Sequence, residues 1–140
     1  MGIMKIVAFK LGEEEYGLDI NHVQSIERIE HITRVPNAPA FVKGVMNLRG
    51  NVTPVIDLSS KLEMGHSKYT ETSRVMMTKL EDIELGMIVA QTSDVIDIAP
   101  EFIEAAAGSF ESTYFNGIAK IEGRLIILLK LEELLKNESE

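Results

Sequence analysis

The sequence predicts a mainly β protein built from two small barrels, and three observations carry the prediction. The first is the stretch Gly44-Val45-Met46-Asn47-Leu48-Arg49-Gly50-Asn51-Val52-Thr53-Pro54-Val55-Ile56-Asp57-Leu58, in which two apolar, strand-like runs meet at Arg-Gly-Asn. Such a meeting is hairpin-turn chemistry with a cation at the tip. The second is repetition. Adding 73 to these numbers places Gly44 on Gly117, Gly50 on Gly123 and Leu58 on Leu131, with no gap needed from Phe41 to Leu62. The third is that the repeat extends upstream at an offset of 69, where Lys5–Leu11 meets Arg74–Leu80 and Glu15-Tyr16-Gly17-Leu18 meets Glu84-Leu85-Gly86-Met87. Many short strands with regular turn signals favour small barrels over one open sheet.

Each element follows in order. Lys5–Leu11 and Glu15–Leu18 read as strands around an acidic turn. Asn21 suits the cap of a helical turn that would bring Val23 and Ile26, three residues apart, onto one face. Pro39 at a first helical position and Gly44 at an exit mark a second short helix around Phe41 and Val42. The hairpin at Arg49-Gly50 follows. A seam between Glu63 and Ser73 has no period and is mostly small or polar, so approximate subdomains are 1–63 and 73–140, with strands free to be exchanged between them. The second copy repeats the pattern, with Pro100 opening a segment over Glu101–Ala107 and Glu122 in place of Arg49 at its hairpin. Leu128, Leu131, Leu134 and Leu135 fall at helical spacing, which predicts a C-terminal helix docked by that stripe.

Composition excludes several functions. A length of 140 residues suffices for one or two small cores, and 45% hydrophobic with 26% charged residues is ordinary for a globular domain. The net charge of −8 opposes a nucleic-acid role, which needs a basic footprint. With no cysteine there is neither a disulfide framework nor a thiolate metal site, which suits a reducing cytoplasm. The N-terminus lacks a signal-peptide pattern, and the apolar run Leu125–Leu129 falls far short of a membrane span, so a soluble protein is expected.

A search for chemistry finds little. His22, His31 and His66 show no metal-ligand spacing, and no nucleotide-binding or nucleophile motif is present. No enzyme activity, cofactor or metal is expected. A small enzyme or ligand-binding barrel using Asp57 or Asp94 beside a pocket is the alternative from a different class, since Asp19, Asp57, Asp94 and Asp97 could pair in space.

What remains is surface. Glu14–Ile20, Val23-Gln24, Thr33-Arg34, Pro39-Ala40-Phe41, Lys43-Gly44-Val45, Asn47–Gly50 and Pro54–Leu58 together resemble the CheW-like domain family, from Phe9 to Leu135 and most densely over Phe41–Leu58. The resemblance implies two five-stranded SH3-like barrels around a shared core, with short helices and a C-terminal helix, forming a single domain over 1–140. It also implies a non-enzymatic chemotaxis adaptor that couples transmembrane chemoreceptors to the histidine kinase CheA in signalling arrays at the inner face of the membrane. With no kinase or receiver domain in the chain, a stand-alone coupling protein is expected; a regulatory or competing module of another pathway is the alternative within the family.

By residue-level match, Val23, Ile26, Gly44, Asn47 and Arg49 would line or support the groove between the barrels that takes the receptor's helical tip. The CheA regulatory domain would pack at the barrel ends, and Phe110, a large aromatic amid small residues, is a candidate for a further array contact. Ser25 departs from the family, since some relatives are acidic there, so no receptor contact is carried onto it. Simpler roles stand beside these: core packing for Val23 and Ile26, backbone geometry for Gly44 and Gly50, and solvation for Arg49. A guanidinium with five donors at a turn nonetheless suits a carboxylate or carbonyls of a partner helix.

Overall fold

The computed structural model describes residues 2–65, 68–104 and 114–135. Its strands are β1 (Met4–Leu11), β2 (Glu14–Asp19), β3 (Val23–Glu27), β4 (Val42–Leu48), β5 (Asn51–Asp57), β6 (Arg74–Leu80), β7 (Ile83–Val89), β8 (Gln91–Ile98), β9 (Ile103–Glu104), β10 (Phe115–Ile121) and β11 (Arg124–Leu129). Two short helices, α1 (Leu58–Lys61) and α2 (Leu131–Leu134), follow β5 and β11. The strands form a six-stranded sheet, β8-β1-β2-β11-β10-β9, and a five-stranded sheet, β3-β6-β7-β5-β4.

The fold is mainly β, as predicted, and the duplication is visible in its geometry. The 73-residue offset carries β4 onto β10 and α1 onto α2, end to end. Gly44 and Gly117 have φ of 147° and 149°, and each sits beside a shift in strand register. At both, a Cβ would strike a carbonyl across the strand, that of Thr33 at Gly44 and that of Glu104 at Gly117. The two sheets differ in strand number. Where Ile118 and Ala119 pair with the two-residue β9, Val45 pairs with Thr33 alone, and this adds the sixth strand to one sheet.

Each sheet draws on both sequence copies. The β1–β2 hairpin joins β11 through a parallel pairing of β2, and the β6–β7 hairpin joins β5 through a parallel pairing of β7. The central strands are therefore buried on both faces, and alternate residues enter different cores. In β6, Val75 and Met77 pack with Met46, Val55 and Ile88 inside the five-stranded unit, while Met76 faces away from them. Met76 joins Phe9, Leu11, Leu18, Ile56, Met87 and Leu131 in a core shared by the two sheets. A third cluster, Ile6, Ile98, Ala119, Ile126 and Leu128, fills the six-stranded unit.

Three local expectations are corrected. The turn after β2 is a single 3-10 turn over Ile20–His22, capped by the Asp19 carboxylate accepting from Asn21 N–H at 2.9 Å. Val23 and Ile26 lie beyond it in β3, paired to β6, so they do not share a helical face. The β-branched residues Val23 and Ile26 find an open edge in β6, and ladder pairing outweighs the weak helical signal. Pro39 makes only a turn, with Val42 N–H donating to its carbonyl at 2.9 Å. The leucine stripe is buried or half-buried, but Leu128 belongs to β11 and only Leu131 and Leu134 are helical. Pro100 opens a 3-10 turn, Pro100–Phe102, before β9; positions 105–113 of that segment, Phe110 among them, and His66 lie outside the described residues.

Candidate partner-binding site

The β4–β5 hairpin closes with Leu48 opposite Asn51, leaving Arg49 and Gly50 as a two-residue loop. Both have positive φ, 53° and 86°, the mirror-image turn whose twist matches the flanking strands. Asn47 secures it, its Oδ1 accepting from Gly50 N–H at 3.1 Å. A left-handed conformation is unfavourable for arginine, yet Glu81 and Glu122 adopt it at other hairpins. The turn is thus a feature of the fold, and the choice of side chain at its tip is free to serve binding.

The Arg49 side chain is 72% exposed, and its Nη2 lies 3.5 Å from Glu27 Oε2. A pair this long and open holds the guanidinium only loosely. Beside it opens a groove of about 260 Å³ at the mouth of the five-stranded unit. Gln24 and Ser25 of β3 form one wall, Asn51 and Thr53 of β5 the other, with Met77 at the back and Glu84 of β7 at the edge. A second, more apolar groove of about 290 Å³ runs where this sheet meets α2, between Phe41, Ile56 and Leu85 on one side and Leu134 and Leu135 on the other. Glu84 borders both grooves.

The five residues expected at the receptor surface are placed unequally. Arg49 stands at the rim of the first groove, and Ile26 is exposed on β3. Across from Arg49 the wall is Gln24 and Ser25, whereas Val23 turns to the shared core, because a strand alternates its faces where a helical turn would have aligned them. Asn47 is engaged by its own turn. Gly44 is buried, and its space is closed by Thr33 and Ile32. The alternative carboxylates are also placed: Asp57 is fully buried where β5 meets α1, and Asp94 is held by Arg124.

That last contact belongs to a group unforeseen from sequence. At the mouth of the six-stranded unit, Arg124 donates through Nε and Nη2 to the Glu15 carboxylate at 3.0 and 2.7 Å, and through Nη1 and Nη2 to Asp94 at 3.2 and 3.0 Å. The Arg124 hydrogen bond is the main reason the Glu15 carboxyl is held below its usual range, against the opposing effect of burial. The signal was present in the repeat: the same offsets put Arg124 on Asn51, Glu15 on Glu84 and Asp94 on Ser25.

Comparison with known proteins agrees with this architecture. The model of the CheW-like domain matches residues 5–139. The chain is 36% identical over 137 residues to the chemotaxis protein CheW of Klebsiella aerogenes, covering 96% of this chain and 82% of that one. It is 35% identical over 138 residues to that of Bacillus subtilis, covering 96% and 88%. The crystal structure of the scaffolding protein TtCheW from Thermoanaerobacter tengcongensis superposes with a TM-score of 0.90 at 34% identity, covering 100% of this chain and 97% of that one. Among the described residues no helix is long and apolar enough to cross a membrane. With the match running nearly from end to end, the chain belongs to the CheW-like family, the non-enzymatic scaffolding proteins of chemotaxis.

Proposed function

We propose that this protein is the adaptor that couples chemoreceptors to the histidine kinase CheA, working in the cytoplasm against the inner face of the membrane. The observation that carries the reading is Arg49: a mostly exposed guanidinium, carried on a turn pinned by Asn47 at the rim of a groove and only loosely tied to Glu27. Ile26 and Arg49 make the receptor contact in this reading, while Val23, Gly44 and Asn47 hold the surface in shape. The CheA regulatory domain binds elsewhere, at a barrel end, and Phe110 is assigned to an array contact.

No bond is made or broken in such a role. An adaptor transmits a signal only by binding one state of its partners more tightly than another. Two faces on one rigid body also raise effective concentration, so modest contacts add up to avidity in an array. The shared core supports this by keeping the two faces in fixed orientation.

The test is Arg49→Glu. Stability should shift by about 0.5 kcal/mol, as at an ordinary surface site, since Gly50 and the Asn47 contact remain. Receptor-dependent stimulation of CheA should be lost while circular dichroism stays native. A folded variant that still stimulates the kinase normally would remove Arg49 from recognition.

A further inference from the structure

The mouths of the two duplicated units are built from matching positions and differ in what fills them. In the six-stranded unit, Arg124 lies between Glu15 and Asp94 and bonds both through paired nitrogens. Its counterpart in the five-stranded unit is Asn51, too short to reach across and uncharged. Asp94 is matched by Ser25, so one carboxylate is gone as well. Glu84, the match for Glu15, keeps its charge. One mouth is therefore plugged by the chain's own guanidinium, and the other is an open groove with the receiving carboxylate still at its edge.

Neither Lys79 nor Arg49 takes that place. Lys79 Nζ stands 3.9 Å from Glu84 Oε2, longer than a charge-assisted hydrogen bond, with both side chains partly exposed. Arg49 is turned to Glu27. We propose that the open groove receives an arginine side chain from the helical partner, held by Glu84 as Arg124 is held by Glu15. A planar guanidinium matches a carboxylate in two parallel bonds, and Gln24, Ser25 and Asn51 offer neutral oxygens for its remaining donors. Glu84 also borders the apolar groove along α2, so a helix seated there would bring such a side chain to the mouth. The proposal rests on the receptor reading of this surface and adds its chemistry: Arg49 addresses acceptors on the partner, and Glu84 a cation.

The probe is the cytoplasmic signalling fragment of a chemoreceptor, titrated against the full-length protein, with the CheA regulatory domain titrated in parallel. Glu84→Gln keeps the shape and removes the charge; it should weaken receptor binding by about 10- to 100-fold and leave CheA binding unchanged. Asn51→Arg should recreate the plug of the other mouth and block the receptor, with native circular dichroism. If Arg49→Glu abolishes receptor binding while Glu84→Gln binds normally, the surface stands and the arginine site falls. If Arg49→Glu also binds normally, the surface itself is misassigned. Weakening confined to the CheA titration would overturn the proposal too, because the groove would then serve the kinase.

Discussion

At the scale of single residues, Arg124 shows how much a partly buried arginine can fix. Its contacts link β11 to β2 and β8, three strands distant in sequence, through one planar group. Because the Glu15 carboxyl is lowered from its ordinary value of 4.5, the ionised form is favoured in the folded state. Such a group contributes stability that is fully present above its unfolded pKa and fades as pH falls through the folded one. Arg124→Gln should therefore cost about 1–2 kcal/mol at neutral pH, and the gap from the parent should narrow below about pH 4.5. Urea melts across pH 3–7 would check this; a gap constant in pH would mean that Arg124 stabilises through packing alone.

Arg49 is the counter-case at this scale. It sits at a turn where the fold demands positive φ and offers no burial, and its neighbour Asn47, not the arginine itself, secures the loop. Hairpin, turn and exposed cation were legible in the sequence, because a two-residue turn between apolar runs is local chemistry. Its long-range setting was not. The ion-pair partner Glu27 lies on β3, and no local pattern tells which strand will pair with β6.

Elements give the clearest lesson in what a one-dimensional pattern can and cannot hold. Val23 and Ile26 fit a helical turn by spacing, yet five residues are too few to separate the periods of helix and strand. Leu128 fits the leucine stripe equally well and is a strand residue, because β11 must continue to Leu129 to complete its ladder with β10. The glycines were more faithful. Gly44 and Gly117 mark the same close approach in both copies, and glycine is needed there for two reasons, positive φ and a carbonyl where Cβ would stand. Gly44→Ala should cost about 3 kcal/mol, whereas Gly50→Ala meets only the φ penalty and should cost about 1 kcal/mol. Thermal melts of the two variants should differ by several degrees, and equal melting would refute the steric part of the argument.

For the molecule as a whole, the shared core makes the two units interdependent. We expect a single cooperative unfolding transition, since residues of both sheets and of both helices meet in one cluster. Deleting residues 131–140 removes Leu131 and Leu134, both nearly inaccessible, and should cost about 4–6 kcal/mol, a large share of the stability of a domain this size. Calorimetry would check it: an unchanged melting temperature would show that α2 is not part of the core.

The exchange of hairpins between units also sets an order of events at birth. As the chain leaves the ribosome, the β1–β2 hairpin emerges long before β8 (Gln91–Ile98) and β11 (Arg124–Leu129), which must flank it. The parallel pairing of Glu15 with Ile126 cannot form until β11 has been made. Until then β1 and β2 present unpaired edges and the apolar side chains of Ile6, Phe9 and Leu11. Contacts this distant slow folding and lengthen exposure to aggregation. A cell making this protein quickly should thus depend on chaperones that shield the nascent N-terminal hairpin, a demand imposed by topology and unrelated to the stability of the finished fold.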